Sequence, residues 1–301
     1  MDKAAMTARI ADGRGFIAAL DQSGGSTPKA LEGYGIAEGS WSTDEEMYAL
    51  IHQMRARIIT SPSFTGDKVV GAILFERTLD GQAAGKPVPH ALHDRGVVPF
   101  LKIDKGLQPE ADGVQLMKPI PGLGDLLDRA RGLGVFGTKE RSVVNLANKN
   151  GIDAIVRQQF EVAREVLAHG LVPIIEPEVN IKSPERGAAD VLLRDGLHEA
   201  LDGLTGDDQV MLKLSLPETP GLYDTLVDHP RVLHVVALSG GYHRAEACAE
   251  LARNRGVIAS FSRALLEDLH VDMGEDAFDR ALSEAIEEIY QASVHKAVDP
   301  A

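Results

Sequence analysis

A lysine stands in the middle of the apolar run VMLKLSLP, residues 210–217, where a strand would bury it. Only the neutral amine of a lysine attacks a carbonyl carbon, and an apolar setting with neighbouring cations favours that form. Lys213, between Leu212 and Leu214, therefore has the setting of a nucleophile that forms an imine with a ketone. Considered alone, this lysine is more simply explained by a structural ion pair.

Two carboxylates in LVPIIEPEV supply a second requirement of imine chemistry. Glu176 and Glu178 are two residues apart, so on a strand their side chains project from the same face. Dehydration of a carbinolamine needs a group that alternates between protonated and ionised states, and a carboxyl group does this. We predict that Glu176 is this acid/base and that Glu178 holds the lysines in place by charge pairing.

Lys213, Glu176 and Glu178 lie in two of eight apolar, β-branched-rich runs that alternate with amphipathic stretches of helical period. The runs are residues 14–21, 68–75, 97–104, 134–143, 171–179, 209–216, 232–239 and 256–262. Strands separated by helical crossovers predict a parallel sheet that is buried on both faces. Eight such units favour an α/β fold, a (β/α)8 TIM barrel in a single domain over residues 1–301. A doubly wound open sheet is the structural alternative.

Polar residues occur where these runs end, which is the functional end of such a barrel. In chain order they are Asp21, Glu76, Lys102, Asp104, Lys139, Arg141, Glu176, Glu178, Lys213, Ser215, Ser239, Ser262 and Arg263. Each residue alone can be explained without a function, for example as a lysine that extends to solvent from a strand end. Together they suit a phosphorylated substrate and proton transfer, with Lys139 expected across the barrel from Lys213.

Two glycine-containing loops are candidates for phosphate binding, which needs backbone N–H groups and a cation. The first candidate combines LSGG, residues 238–241, with the cation that follows the eighth run: Ser239, Gly240, Gly241 and Arg263. The second is DQSGGSTPK, residues 21–29, which could contact another phosphate through Ser23 and Ser26, helped by Lys102. This loop lacks the spacing of a Walker motif.

The composition limits the classes of partner. A formal net charge of -14 argues against nucleic acid and anionic membranes, since repulsion would oppose their approach. No apolar run approaches the roughly 18 residues of a membrane span. Cys248 is the only cysteine, so an internal disulfide is impossible and a cytoplasmic, reducing location is expected. The partners are therefore expected to be small molecules, and the oligomeric state stays open.

Eight motifs resemble those of class I fructose-bisphosphate aldolases, the Schiff-base type, over nearly the whole chain and in the family's order. They are LDQSGGSTPK, GAILFERTLD, LKIDKG, the KER of GTKERS, LVPIIEPEV, MLKLSLP, LSGG and FSRAL. The shorter bacterial-type branch looks closer than the animal one. The resemblance implies reversible, metal-independent cleavage of fructose 1,6-bisphosphate to dihydroxyacetone phosphate and glyceraldehyde 3-phosphate, without a cofactor. It leaves open whether the physiological direction is glycolytic or gluconeogenic.

The resemblance also implies a role for each matched residue. Lys213 matches the lysine that forms the imine, Glu176 the acid/base and Glu178 its neighbour. The remaining matches are Lys139 for assistance of that chemistry, Asp21 for carbon-carbon cleavage, Arg141 for a phosphate contact, Ser239, Gly240, Gly241 and Arg263 for the phosphate on the ketone half, and Ser23, Ser26 and Lys102 for the opposite phosphate.

The chain departs from the animal pattern at several points. Gln22 stands where those enzymes have Glu, and Ala30 stands where an arginine follows the matched lysine. The chain also lacks their long tail with its terminal tyrosine, which leaves the group that protonates the enamine unidentified. Tyr290 is one candidate, although a helix tyrosine packed in the core is the simpler interpretation.

Three other functions compete with this interpretation. A metal-dependent lyase would need converging histidines and carboxylates. His90 and His93 lie in HALHDRG with Asp94 adjacent, but this stretch lacks a clear third ligand. A transaldolase-like or other Schiff-base lyase could act on a related ketose phosphate. A non-catalytic sugar-phosphate-binding barrel would retain the fold but would not need Lys213 and Glu176 together.

Overall fold

The protein, whose structure is a computed structural model, is described over residues 1–297. Residues 298–301, which the predicted domain includes, lie outside this range. The strands within it are β1 (Phe16–Leu20), β2 (Val69–Leu74), β3 (Gln82–Ala83), β4 (Lys86–Pro87), β5 (Val98–Lys102), β6 (Val114–Gln115), β7 (Gly137–Val144), β8 (Val172–Val179), β9 (Val210–Ser215), β10 (Val232–Leu238) and β11 (Val257–Ala259).

Helices connect most of these strands, as the amphipathic stretches predict. They are α1 (Lys3–Asp12), α2 (Ser26–Gly33), α3 (Asp44–Thr60), α4 (Glu76–Leu79), α5 (Val88–Asp94), α6 (Leu123–Gly132), α7 (Lys149–Ala168), α8 (Arg186–Asp202), α9 (Asp224–Val227), α10 (Arg244–Ala252), α11 (Arg263–Leu266) and α12 (Glu275–Val294). Helix α3 begins at a capping box, since Thr43 accepts a hydrogen bond from the Glu46 amide (3.2 Å) and the Glu46 carboxylate accepts one from the Thr43 amide (3.3 Å).

Eight parallel strands form the barrel wall, in the order β1-β2-β5-β7-β8-β9-β10-β11, and the short β6 adds a ninth, antiparallel strand that pairs with β7. The amide of Ala19 on β1 donates to the carbonyl oxygen of Phe261, just after β11, at 3.1 Å. Because this bond joins the first strand to the last, the sheet closes into a (β/α)8 barrel. Each predicted run coincides with one barrel strand, although β7 ends one residue beyond its run, so the barrel is confirmed and the open-sheet alternative is wrong.

The barrel interior is apolar at one end and charged at the other. Ile17, Phe100, Phe136, Ile174 and Met211 belong to a single buried cluster inside the barrel. The first helix, α1, adds its own apolar side chains to this cluster and closes the N-terminal end of the barrel. Charged residues lie two positions further along β5, β8 and β9, on the same inner face, at the C-terminal end of the barrel.

Strand alternation decides which polar residues enter the barrel. On β9, Met211 joins the inner cluster, whereas Leu212 and Leu214 pack in the outer core between sheet and helices. Lys213 therefore shares the inner face with Met211. The same alternation on β8 places Ile174 and Glu176 inside, so that the lysine and the glutamate face the same space.

Candidate active site

One large pocket, of about 1170 Å³, opens at the C-terminal ends of the barrel strands. All thirteen site residues predicted from the sequence line it: Asp21, Ser23, Ser26, Lys102, Lys139, Arg141, Glu176, Glu178, Lys213, Ser239, Gly240, Gly241 and Arg263. These residues are separated by as many as 242 positions in the chain, from Asp21 to Arg263, and barrel closure brings them together. Their convergence is a property of the tertiary structure.

A chain of four buried charges lies at the bottom of the pocket. Glu176 contacts Lys213 through Oε1 (2.9 Å) and Lys139 through Oε2 (2.8 Å). Lys139 also contacts Asp21 at 2.7 Å. Glu176 is thus the shared partner of both lysines. Lys139 lies on β7 with β8 between it and Lys213 on β9, rather than directly across the barrel.

These contacts fix the ionisation of the cluster. Burial alone would raise the pKa of Asp21 and of Glu176, but nearby lysines outweigh it and hold both pKa values below their ordinary range. Burial would likewise lower the pKa of Lys139, yet Asp21, Glu176 and Asp104 together raise it. All three groups are therefore charged at neutral pH.

Asp104 joins a second pair of charges to this chain. Its carboxylate is ion-paired with Lys102, accepts a hydrogen bond from the backbone amide of Arg141 (3.2 Å) and lies 3.9 Å from Lys139. Burial and the nearby Lys139 lower the pKa of Lys102. Lys102 is thus already paired with a carboxylate before any anion enters the pocket.

Glu178 has a different partner from the one expected. Its Oε2 accepts a hydrogen bond from Nη1 of Arg141 at 2.8 Å, and within residues 1–297 no lysine lies within ion-pair distance of it. The cause is register, since Arg141 and Glu178 both lie one alternation beyond Lys139 and Glu176, on neighbouring strands. Glu178 is therefore positioned to orient Arg141, not to hold the lysines.

The loop after β10 approaches the cation that follows β11. Gly240 and Gly241 have φ values of +61° and +114°, in the region that glycine adopts readily. A Cβ atom on Gly241 would lie 3.4 Å from Nη2 of Arg263, so the guanidinium rests against this glycine. The absence of a side chain there leaves the backbone accessible to a ligand that also contacts Arg263.

The loop after β1 has its own local hydrogen bonds. Oγ of Ser26 donates to the carbonyl oxygen of Ser23 (2.9 Å) and accepts from the Ser23 amide (3.0 Å). Lys29, in the first turns of α2, lines the pocket beside these serines. Ser26 therefore shapes the loop, while Lys29 supplies a cation there.

Comparison with known proteins assigns the family. The family model for fructose-bisphosphate aldolase class-I matches residues 3–186, more than half of the chain. The chain belongs to the class-I fructose-bisphosphate aldolase family. The match includes Asp21, Lys102, Lys139 and Glu176, whereas Lys213 lies C-terminal to it.

Two solved structures are similar to this member of the aldolase family. One is fructose-bisphosphate aldolase from Plasmodium falciparum, in a ternary complex with TRAP and a small-molecule inhibitor. It has a TM-score of 0.78 and 21% identity over 97% of this chain and 96% of that chain, which supports the fold. The other, a putative orotidine-monophosphate-decarboxylase from Toxoplasma gondii, has a TM-score of 0.43 and 13% identity over 97% of each chain.

Several pocket residues of this aldolase-family chain escaped the sequence prediction. Asp104 and Ser262 are strand-end residues to which the sequence assigns no role, and Lys105 stands within a quoted motif without one. Lys29 is the matched lysine before Ala30, and it has no predicted role in the site. Arg55 is fully buried behind the pocket and gave no signal in the sequence. An arginine in an amphipathic helix is usually on the solvent face, so only the fold reveals its burial.

Tyr290, the candidate for enamine protonation, does not line the pocket. It packs against the apolar core from α12, and Nζ of Lys68 lies 5.9 Å from the centroid of its ring. Lys68 precedes β2, at the N-terminal end of the barrel and away from the site. The interpretation of Tyr290 as a packed helix residue therefore agrees with the structure better than a catalytic role.

The histidines considered for metal binding have other contacts. His93 lies 2.9 Å from the carbonyl oxygen of Gly134, and Asp94 is ion-paired with Lys86. A different group, His198, Asp202 and His229, has its polar atoms close together on the outer surface.

The third residue of that group, His229, makes two hydrogen bonds that disfavour a metal. Nδ1 of His229 accepts a hydrogen bond from the amide of Arg231 (3.1 Å), so Nε2 carries the ring hydrogen and donates to Asp202 (3.1 Å). A metal would need the lone pair of Nε2, and the other ring nitrogen would then carry a hydrogen that faces an N–H donor. This group does not fit a metal in the present arrangement.

None of the helices in residues 1–297 has the length and hydropathy of a membrane span.

Proposed function

We propose that the protein cleaves fructose 1,6-bisphosphate reversibly to dihydroxyacetone phosphate and glyceraldehyde 3-phosphate through an imine on Lys213, without a metal ion. The observation that carries this proposal is the buried chain Lys213–Glu176–Lys139–Asp21, with contacts of 2.7 to 2.9 Å. It combines a nucleophile, an acid/base and a second base at the bottom of one pocket. Membership of the class I aldolase family supports the reaction type.

Imine formation uses the pair of Lys213 and Glu176. The lysine ammonium loses a proton along its contact with Glu176, and the neutral amine attacks the ketone carbon of the substrate. Glu176 then returns a proton to the departing hydroxyl group, water leaves, and a protonated imine remains. Lys139 stays charged on the other oxygen of Glu176 and keeps that carboxylate ionised in the resting state.

Carbon-carbon cleavage uses the protonated imine as an electron sink. A base takes the proton of the C4 hydroxyl, the C3–C4 electron pair moves toward the imine nitrogen, and the aldehyde product leaves an enamine on Lys213. Asp21 is our candidate for this base, because it is ionised and is held in place by Lys139. Protonation of the enamine and hydrolysis of the resulting imine release the ketone product.

Two cations without ion-pair partners favour a substrate with two phosphates. Lys102, Lys105, Lys139, Arg141 and Lys213 all pair with carboxylates. In the described part of the chain, no carboxylate lies within ion-pair distance of the other two pocket cations, Lys29 and Arg263. Lys29 lies beside the loop after β1, and Arg263 lies beside the loop after β10. Each candidate phosphate-binding loop therefore has a cation that is available for an anion.

Two other functions make different predictions. A Schiff-base lyase for another ketose phosphate would use the same lysine but would not need both free cations. A non-catalytic sugar-phosphate-binding barrel would need the cations but not the buried contact between Lys213 and Glu176.

We also propose a cytoplasmic location, which the single, buried Cys248 supports because the chain needs no oxidising compartment to fold.

The test is to trap the imine. The protein is incubated with fructose 1,6-bisphosphate and borohydride in the presence of a chelator, and the adduct is located by peptide mass spectrometry. We expect a reduced adduct on Lys213 that is lost in Lys213→Ala and retained in Lys149→Ala, a change in an exposed helix lysine. Turnover that the chelator stops, with no adduct, would contradict the imine mechanism.

Other outcomes separate the remaining functions. An adduct on Lys213 that forms with a monophosphate ketose while fructose 1,6-bisphosphate is not cleaved would indicate another Schiff-base lyase. Binding of sugar phosphates with neither adduct nor turnover would indicate a binding protein.

A further inference from the structure

A buried arginine without a carboxylate partner lies behind the pocket. Arg55 on α3 has no exposed surface. Within residues 1–297, no carboxylate oxygen lies within 4.0 Å of its guanidinium. Burial lowers the pKa of Arg55 to about 10, so the group remains charged, and able only to donate, at neutral pH. A buried charge without an adjacent carboxylate is costly unless it is hydrogen-bonded, and the hydrogen bonds of Arg55 are therefore informative.

Those hydrogen bonds converge on Gln22. Nη2 of Arg55 donates to the backbone oxygen of Gln22 and, at 3.1 Å, to its side-chain oxygen Oε1, while Nη1 donates to Thr78 (2.8 Å). The amide nitrogen of Gln22 lies 3.2 Å from the carbonyl oxygen of Ala19 and 2.6 Å from Oγ of Ser262. Gln22 thus connects the end of β1 to the loop after β11, next to Arg263.

The side-chain amide of Gln22 has only one orientation that satisfies its hydrogen-bond partners. Arg55 has no acceptor, so it requires the oxygen of Gln22, and the carbonyl of Ala19 has no donor, so it requires the nitrogen. A flipped amide would place donor against donor and acceptor against acceptor. The NH2 group of Gln22 therefore faces Ser262, and Oγ of Ser262 is the acceptor in that bond.

This polarity leaves the Ser262 hydroxyl hydrogen unused. Ser262 lines the pocket immediately before Arg263, and no acceptor in the described residues receives its hydrogen. We propose that Ser262 is an anion-binding residue of the pocket, that it donates its hydroxyl hydrogen to the ligand group bound by Arg263, and that Arg55 and Gln22 set this direction. Ser262 adds a neutral donor to the cation, and Arg55 is a positioning residue. The ligand class, a phosphate monoester, rests on the proposed function.

A carboxylate at position 22 would reverse the arrangement. In Gln22→Glu, the new carboxylate would accept the hydrogen bond from Arg55 as an ion pair, but it has no N–H to donate to Ser262. The Ser262 hydroxyl would then donate to the new carboxylate, and the pocket would lose a donor. Ser262→Ala removes the same donor without adding a charge, so the two variants are a matched pair.

The experiment is calorimetric titration of the protein with inorganic phosphate, together with the KM for fructose 1,6-bisphosphate. We expect Ser262→Ala and Gln22→Glu each to weaken phosphate binding about tenfold, as for the loss of a hydrogen bond to a charged group. The double variant should bind no more weakly than Gln22→Glu alone, because both changes remove one donor. The control Ser63→Ala, which loses a hydrogen bond to Asp279 (2.8 Å) far from the pocket, should bind as the unmodified protein does.

The outcomes distinguish this inference from the proposed function. Unchanged phosphate binding in Ser262→Ala would overturn the inference, even if the unmodified protein cleaves fructose 1,6-bisphosphate. Additive losses in the double variant would show that Gln22 acts through its charge rather than through Ser262, which would overturn the positioning role. Tenfold weaker phosphate binding in a protein that forms no imine would support the inference and refute the proposed function. Thermal unfolding of each variant checks that the fold is retained.

Discussion

Glu176 lies 2.9 Å from the amine of Lys213, and its second oxygen is occupied by another lysine at 2.8 Å. One carboxylate is therefore shared between the proposed nucleophile and a permanent cation. Glu176 can therefore take up and return a proton only through Oε1, the oxygen that faces Lys213 and a ligand bound there. It also makes Glu176 the residue whose loss should affect imine chemistry most directly.

We expect Glu176→Gln to reduce kcat by about 10²-fold or more, the usual contribution of a general acid/base, with a smaller change in KM. The amide can neither accept the Lys213 proton nor return it to the carbinolamine. The rate of borohydride-trapped adduct formation should fall in parallel with kcat. Glu178→Gln is the matched control, since Glu178 contacts Arg141 and should mainly change KM. Equal losses of kcat in the two variants would contradict the assignment of Glu176.

The buried charges predict a plateau in stability against pH. Asp21 and Glu176 have lowered pKa values, so each stabilises the fold above its unfolded pKa, and that stability is lost as the pH falls through the folded value. Lys139 has a raised pKa, so its contribution is present below its unfolded pKa and is lost as the pH rises through the folded value. We expect the stability that these three groups supply to be nearly constant between about pH 5 and pH 10 and to fall outside that window. Tm against pH measures it, together with the fall below about pH 6.5 that buried His234 adds, because its pKa is lowered to about 4. A Tm that drops steadily from pH 8 to pH 6.5 would contradict this prediction.

Lys139→Met should remove much of the stability of the barrel mouth at neutral pH. The change leaves Asp21 and Glu176 buried without their shared cation, at a cost of about 3–5 kcal/mol in the free energy of unfolding. The deficit should shrink at pH 4, because protonation removes the unpaired charges. Urea unfolding at both pH values measures it. Lys149→Met is the control, because its pair with Asp153 (2.7 Å) is exposed and should contribute little to the free energy of unfolding.

The two unpaired cations should discriminate between substrates. Arg263→Ala should raise the KM for both fructose 1,6-bisphosphate and fructose 1-phosphate, because both carry the phosphate on the ketone half. Lys29→Ala should raise the KM for the bisphosphate alone, by about tenfold, as expected for one charged hydrogen bond. Steady-state kinetics with the two ketoses test this pattern. If Lys29→Ala affected both substrates equally, Lys29 would not serve the second phosphate.

Gly240→Ala should distort the loop after β10. The backbone of Gly240 has a φ of +61°, and a Cβ atom there would lie 2.8 Å from Cγ2 of Ile181. We expect weaker phosphate binding and a loss of about 1–2 kcal/mol in the free energy of unfolding, which calorimetry and urea denaturation would measure. Gly132→Ala, at the end of α6 with open space around it, should be neutral in both assays. Phosphate binding that is unchanged in Gly240→Ala would show that this loop does not take part.

Cys248 should resist alkylation in the folded protein. Burial raises the pKa of its thiol to about 12, so almost no thiolate exists at pH 8. Iodoacetamide should modify the unfolded protein at least about 10²-fold faster than the native one. Mass spectrometry against time in the presence and absence of urea provides the comparison. Rapid native alkylation would indicate that the helix α10 opens locally.

The barrel and most of the candidate site followed from local patterns. Runs of apolar residues identify parallel strands, and the barrel architecture then indicates which end of each strand carries function. Lys213 and Glu176 were found in this way, because a charge within a buried run is unusual in any sequence. The partner of Glu178 was not, since pairing with Arg141 depends on the register between β7 and β8.

Hydrophobic period and residue type are local properties, so they specify the kinds of residue at the strand ends and the order in which the strands follow one another. The pairing of the charges depends on the folded barrel. Barrel closure brings Asp21 after β1 and Glu176 on β8 into contact with Lys139 on β7. It also buries Arg55 behind Gln22, so that a helix residue with no sequence signal fixes the direction of a hydroxyl group in the pocket. Such contacts depend on strand register and helix packing, which are long-range and leave no mark in a single sequence.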